Sequence, residues 1–445
     1  MQYFWKLLLI ATPVILFSGA NGQRLDDILA TSTNTTFTAA SISPPAQKLY
    51  LERRTQMADV RTALLEEMIA KAVLELEGKA LNSTGDKLVL AQRAKAPAPT
   101  AAEIQKLYDA NAATLRGQTI DEVRDQIIDY LKDESGQKLV EAYIHSLRTK
   151  YKVAPGKDVN AVGLGPTDVV ATVGGRAITL AEFERANKVR INDTEIQIFE
   201  GLRSDLEASI FTVLVTEEAK ERKLDTGAYI ATEITDKLRQ FTDDERAVLA
   251  DALLRRLSAK YNVKILLPEP APIVQNIAIE ADDPQTGKAS ATVTVVMFTD
   301  FQCPACSSTH PVLKRTLAEY GDKIRFVVRD FPLENIHNNA FQAALAANAA
   351  RAQGKFFEYS EILYRNQDAL DKASLVKYAA EVGLNVKQFE LDFSDARGEA
   401  EIRKDQADGR SYGVGGTPAI FVNGIKVQRL SADAFRRAIE RALSK

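Results

Sequence analysis

Ala291-Thr-Val-Thr-Val-Val-Met-Phe-Thr-Asp-Phe-Gln-Cys303-Pro-Ala-Cys306 is the stretch that decides the fold of the last third of the chain. Its first half, to Phe298, is short, apolar and β-branched, the pattern of a buried strand. Pro304 suits the first turn of a helix, where its missing N–H is no loss, and the helical pattern runs on to about Tyr320. Cys303 then sits at a helix N-terminus and Cys306 one turn inside. Free backbone N–H groups and the helix dipole favour a thiolate at Cys303. A thiolate is the attacking species in disulfide exchange. The spacing lets Cys306 attack a mixed disulfide formed on Cys303 and release the partner.

These are the only two cysteines among 445 residues. Exported proteins ordinarily spread cysteines along the chain as structural bridges. None is left over here, so the pair is a local dithiol, half of a metal site or a redox pair. A zinc site needs four ligands, and only His310, one turn beyond Cys306, lies nearby. No metal and no other cofactor is expected. Downstream, Ile324–Arg329 reads as a second strand and His337–Leu391 as almost wholly helical. Val414-Gly-Gly-Thr-Pro-Ala-Ile-Phe-Val-Asn-Gly424 sets Pro418 directly before a strand. That strand turns at Asn423-Gly424 into a hairpin with Ile425–Gln428. Ser431 caps a last helix.

The rest of the chain is multidomain by length. Hydrophobic residues make up 45% and charged residues 26%, and the net charge is −3. No basic excess exists to hold a phosphate backbone, so nucleic acid is not an expected partner. Lys6 precedes an apolar run, Leu7–Phe17, too short for a membrane span of about 20 residues. Small residues follow at Ser18, Gly19, Ala20 and Gly22. Residues 1–22 read as a cleaved export signal, with a periplasmic or secreted product.

Two mainly helical stretches follow, 24–155 and 167–269, joined by the Gly/Pro-rich segment Pro155–Pro166. The first has helical spacing over Asp59–Glu77. It also has a capping box at Thr100 and Glu103, and another helix start at Thr119. The second opens with a Gly-Gly hairpin, Val169–Leu180, then helices including Leu202–Arg222 and Thr242–Tyr261. The two repeat each other: Ser146-Leu-Arg-Thr-Lys-Tyr-Lys-Val153 matches Arg256-Leu-Ser-Ala-Lys-Tyr-Asn-Val263. Each repeat resembles the N-terminal chaperone region of SurA-type folding factors, through the Val-x-Gly-x-x-Ile-Thr opening and the Lys-Tyr-x-Val close. That resemblance implies polypeptide binding. No proline-isomerase domain follows either copy.

Residues 290–445, after the linker Pro268–Lys288, resemble the DsbA family, in its branch with DsbG-like and BdbD-like proteins. The motifs are Phe298–Cys306, Ile324-Arg-Phe-Val-Val-Arg-Asp-Phe-Pro332, Ala352-Gln-Gly-Lys-Phe-Phe357 and Gly413-Val-Gly-Gly-Thr-Pro418. The resemblance implies an α/β thioredoxin fold with a helical insertion at about 334–406. It implies Cys303 as nucleophile, Cys306 as resolving thiol, and a cis Pro418 facing them. Thr417 would offer its backbone to an extended substrate chain. The implied activity is thiol–disulfide exchange on unfolded or disulfide-containing exported polypeptides, serviced by a membrane or envelope redox partner. The N-terminal modules would hold clients or form a homodimer. The contrasting class is a non-enzymatic chaperone or scaffold with a vestigial redox domain.

Two departures from the family bear on the direction of electron flow. The buried acid six positions before the first Cys is replaced by Met297. Asp300 is closer, and reads as a cap of the strand–helix corner. Strong oxidases have His before the second Cys, whereas Ala305 brings no charge. Pro304, Ala305 and His310 are the candidate tuning residues. A potential between roughly −270 mV and roughly −120 mV, the thioredoxin and DsbA values, is expected. Oxidase and isomerase or reductase directions both stay open. His337 is expected to cap or pack at the start of the insertion.

Overall fold

The computed structural model describes residues 23–115 and 117–444, so the expected export signal lies outside the described residues. Two compact units are present: Arg54–Lys188, and a second that joins residues 23–53 to 189–444. Both divisions fall inside long helices. The stretches 24–155 and 167–269 each contribute to both units.

Along the chain, β1 (Ile28–Thr31) and β2 (Thr36–Thr38) precede α1 (Pro44–Ala80), α2 (Gly85–Arg93), α3 (Ala101–Asn111) and α4 (Ile120–Lys150). Then come β3 (Ala154–Pro155), β4 (Val169–Val173), β5 (Arg176–Thr179), α5 (Leu180–Glu221), α6 (Thr226–Glu233), α7 (Asp243–Lys260) and β6 (Lys264–Ile265). The helix expected from Ile120 runs on without a break to Lys150, and α5 is one helix of 42 residues. In the first unit, β4 pairs with β5 and with β3, the strand at the exit of α4. In the second, β1 pairs with β2 and with β6, the strand at the exit of α7. Each hairpin therefore completes a sheet with the exit strand of the other repeat.

The repeat signature has a physical basis. In the first unit Glu77 is buried at 6% exposure and accepts hydrogen bonds from Lys150 and from the Tyr151 hydroxyl, the latter at 2.7 Å. In the second, Glu218 is buried and accepts from Lys260, from Arg222 Nε at 2.8 Å and from the Tyr261 hydroxyl at 3.1 Å. The Lys-Tyr exit thus closes over a buried glutamate in both. A carboxylate taken out of water needs this many donors to be tolerated.

The remainder of the second unit is built on a five-stranded sheet. Its strands are β7 (Gln285–Thr286), β8 (Val293–Thr299), β9 (Ile324–Asp330), β10 (Ala419–Val422) and β11 (Ile425–Val427), in the order β11-β10-β8-β9-β7. β8 and β9 are parallel, joined across α8 (Pro304–Ala318); the other pairings are antiparallel. Helices α9 (Ala340–Ala352), α10 (Phe356–Arg365), α11 (Lys372–Glu381), α12 (Val386–Phe393) and α13 (Ala396–Ser411) are inserted between β9 and β10, and α14 (Ala432–Leu443) ends the chain. The stretch read as linker, Pro268–Lys288, supplies β7. Gln285 pairs with Val327 on the open edge of β9, and Val274 bridges Ile425. Edge pairing depends on a free neighbour rather than on a local pattern, which is why the residues give no sign of it.

Period-two alternation fixes the two faces of the sheet. Val293, Val295 and Met297 of β8 join Phe326 and Val328 of β9 in the core that holds both cysteines, α8, α14 and much of the insertion. Val296, Phe298, Val327 and Phe421 face the other way, against Phe331 and Val414. Arg329 is 1% exposed on that second face. Its Nε donates to Asp405 at 2.8 Å, its Nη2 to Asp408 at 2.9 Å and its Nη1 to the Ala278 carbonyl at 3.1 Å. This tethers α13 and the segment before β7 to the sheet. At the packing of α7 on α14, Asp251 lies 3.1 Å from Arg255 and 3.8 Å from Arg436.

Candidate active site

The strand–helix corner is held from several sides. Asp300, 1% exposed, accepts from the Gln302 N–H at 2.7 Å through Oδ1, so it does cap the corner. Its Oδ2 also accepts from the Leu333 N–H at 2.9 Å and lies 2.7 Å from His337 Nδ1. His337 thus buttresses the corner through Asp300, which lies three residues before Cys303. Gln367 donates to the carbonyls of Phe301 and Cys303 at 2.8 and 2.9 Å, and the Gln302 side chain accepts from the Asn339 N–H at 2.8 Å. The Ser307 hydroxyl donates to the Tyr364 carbonyl at 2.8 Å. The insertion therefore clamps the motif through Gln367, Asn339, Tyr364 and His337. No local pattern singled out Gln367, Asn339 or Tyr364, because their roles depend on where the insertion folds back.

Cys303 is the residue before the first helical turn, at φ −76° and ψ 120°, and Pro304 opens α8. The Cys306 and Ser307 N–H groups both turn back to the Cys303 carbonyl, at 3.0 and 3.2 Å. Cys303 is 7% exposed and Cys306 wholly buried; both are free thiols. The Thr417–Pro418 peptide is cis, and the Cys303 thiol donates to the Thr417 carbonyl at 3.4 Å. β10 then starts at Ala419, opposite Phe298. Cys303, Cys306, Thr417 and Pro418, 114 residues apart in sequence at the thiol–carbonyl contact, come together at one end of the sheet.

The environment separates the two thiols. A hydrogen bond from the Cys306 thiol is the largest influence holding Cys303 down, to about 5. Burial opposes it, while the Thr417 hydroxyl and the Cys306 and Ala305 N–H groups add to it. That hydroxyl is buried and has no hydrogen-bond partner in the dithiol form. Burial, and then the adjacent Cys303 thiolate, push Cys306 far above the ordinary thiol range. The surroundings therefore favour a thiolate on Cys303 and a thiol on Cys306. Ala305 is exposed and contributes only its N–H. His310 is 7% exposed and packs its ring, tilted by 31°, against Tyr364 with centroids 4.8 Å apart. Burial pulls its pKa below the ordinary imidazole range, so at neutral pH it brings no positive charge to the pair. No cluster of three or more His, Cys, Asp or Glu suited to a metal occurs among the described residues.

Residues 280–441 match the family model described as Thioredoxin. Among curated proteins, the chain is 35% identical over 162 residues to the Na(+)/H(+) antiporter NhaA 1 of Mycolicibacterium vanbaalenii, covering 36% of this chain and 26% of that protein. It is 36% identical over 174 residues to the Na(+)/H(+) antiporter NhaA 3 of Salinispora tropica, covering 39% and 26%. The chain thus spans about a quarter of the length of these relatives. No helix among the described residues is long and apolar enough to cross a membrane. Among solved structures, a thioredoxin-like oxidoreductase from Silicibacter pomeroyi aligns at 26% identity and TM-score 0.35, over 37% of this chain and 95% of that one. BdbD from Bacillus subtilis, in its oxidised form, aligns at 21% identity and TM-score 0.35, over 39% and 99%. The C-terminal region that carries Cys303, Cys306 and Pro418 is therefore a thioredoxin-like domain.

Proposed function

We propose that the protein is an exported thiol–disulfide oxidoreductase that uses Cys303-Pro-Ala-Cys306 to form, reduce or rearrange disulfides in exported polypeptides. One observation carries this reading: adjacent thiols on one helix start, with Cys303 held near 5 and Cys306 driven the other way. Cys303 thiolate would attack a client disulfide. Cys306 would then displace the client from the mixed disulfide, and the reverse sequence would oxidise a client dithiol. The Thr417 carbonyl, next to the Cys303 sulfur, is the acceptor a client backbone N–H would meet during the exchange. The helical modules would hold unfolded clients or pair two copies of the chain, and an envelope redox partner would reset the cysteine pair.

The test is insulin reduction together with refolding of scrambled ribonuclease, by the wild type and by Cys303→Ser. The wild type should act in at least one assay and the variant in neither. Equal behaviour of the two would sink the enzymatic reading and leave the scaffold reading. Suppression of client aggregation by full-length Cys303→Ser would support client holding by the modules. Its absence would leave pairing of copies as their role.

A further inference from the structure

The loop that carries Thr417 and Pro418 is anchored from outside the thioredoxin-like domain. It begins beyond α13 at Gly413, where φ is +82° and a Cβ would stand 2.6 Å from Val189 Cγ1 of α5. Only a residue without a side chain lets the chain turn there against the helix. Val414 is buried in the core of the second sheet face, and β10 begins at Ala419. Gly416 between them is exposed, and a Cβ on it would meet nothing within 4 Å. Thr417 therefore takes its position largely from the two ends of the loop.

The Gly413 end is tied again through β11. Lys426 Nζ donates to the Gly413 carbonyl at 3.4 Å and to Asp193 Oδ2 of α5 at 2.7 Å. Gln428 Nε2 donates to Asp193 Oδ1 at 2.8 Å, so both carboxylate oxygens are engaged. The Lys426 and Asp193 side chains are 23% and 22% exposed. A pair partly withdrawn from water is screened less by salt than a surface pair. Asn192, next to Asp193, holds the chain before β7. It donates to the Ala271 carbonyl at 2.9 Å and accepts from the Ile273 N–H at 3.3 Å. Val274 then bridges Ile425 of β11. Just over one turn of α5 thus gathers three pieces of chain at the root of the loop. α5 precedes the thioredoxin-like region, residues 280–441, so this anchor is an addition of this chain.

We infer that Asp193, acting through Lys426 and the Gly413 carbonyl, is a positioning residue that sets the Thr417 carbonyl where a client backbone meets it. This rests on the exchange reading proposed above. Asp193 touches neither sulfur nor client. Without its charge, Lys426 is free to turn its ammonium to water, and the Gly413 end of the loop loses its donor. Attack on a disulfide that makes no backbone hydrogen bond does not depend on this anchor, whereas attack on an extended peptide does.

The experiment offers two disulfides to reduced full-length protein. One is an extended synthetic peptide whose single cysteine is joined to glutathione. The other is dithiobis-nitrobenzoate, which has no backbone to pair with Thr417. The quantity read is the rate of the first exchange with the peptide divided by that with the aromatic disulfide. A change in the amount of folded protein moves both rates together and leaves the ratio alone. Lys426→Met should lower the ratio about fivefold, the scale of one ordinary hydrogen bond, and Asp193→Asn should lower it in the same direction. An unchanged ratio in Lys426→Met overturns the inference. Failure of the wild type to attack either disulfide overturns the exchange reading instead. If Lys426→Met does not fold, Asp193→Asn decides: a lowered ratio supports the anchor, and an unchanged one overturns it.

Discussion

Replacing Cys306 with Ala tests the origin of the Cys303 thiolate. Cys303 is lowered from the ordinary 9.0 to about 5, with the Cys306 thiol as the leading cause. Four pH units correspond to about 5 kcal/mol of preference for the charged form. A hydrogen bond to a charged group contributes about 1.5–3 kcal/mol, or about 1–2 pH units. Cys306→Ala should therefore raise Cys303 to about 6–7, with Thr417 and the helix N–H groups holding the rest. The assay is the pH profile of iodoacetamide alkylation of Cys303. The wild type cannot isolate one sulfur by mass alone, so the modified residue is mapped by peptide digestion. Stability gives a second readout. Because the folded pKa is depressed, reduced protein gains stability that is fully present above the unfolded value near 9 and is lost as pH falls through about 5. The variant should show a shallower loss over that window. A wild-type midpoint at or above 8, or a variant midpoint equal to the wild type, refutes the assignment.

Three further outcomes follow from the same geometry. A Cys303 thiol near 5 lies about two pH units below the reactive thiol of thioredoxin, worth about 2.7 kcal/mol or about 60 mV. Equilibration with glutathione buffers should return a potential of about −210 mV, and a value near −120 mV or below about −260 mV would contradict it. Arg329→Met leaves Asp405 and Asp408 without their buried cation. Loss of one partner of a buried pair costs about 3–5 kcal/mol, so urea melts should shift sharply, and a change under about 1 kcal/mol would show the network to be dispensable. Asp251 is raised to about 6, first by burial and then by Asp433. Its folded pKa exceeds the unfolded one, so the native state is favoured below about pH 4 and loses that advantage as pH rises through 6. Asp251→Asn should then stabilise the protein at pH 8 by about 1–2 kcal/mol after allowance for solvent screening; destabilisation there would mean that the Arg255 and Arg436 contacts outweigh the burial cost.

Local devices could be read directly from the residues. Thr100 and Glu103 exchange both capping hydrogen bonds, at 2.7 and 3.3 Å. Asn423 and Gly424 take φ of 45° and 76°, as a two-residue hairpin turn requires. The strand, the Pro-led helix start and the cysteine spacing are likewise set by neighbours within a few positions. The choice of partner is different. β1 and β6, or Arg329 and Asp405, meet only once the intervening chain has folded, and period and propensity say nothing about such pairings. Asp330 marks the boundary between the two cases. An acid ends the apolar run Ile324–Asp330, but its side-chain partner is Asn348 on the insertion, and no spacing rule reaches it.

The hairpin exchange also sets a schedule for synthesis. The Thr33 N–H and hydroxyl both bond to the Tyr261 carbonyl, 228 positions later. Residues 28–38 therefore emerge from the ribosome long before the β6 edge that completes their sheet exists. Among the described residues Arg54–Lys188 is one unbroken segment, and it needs no later part of the chain to close. Until β6 is available the hairpin holds Leu29 and Phe37 unburied, although both are within the folded core. A chain shortened before Lys264 would therefore leave the β1 edge without its β6 neighbour.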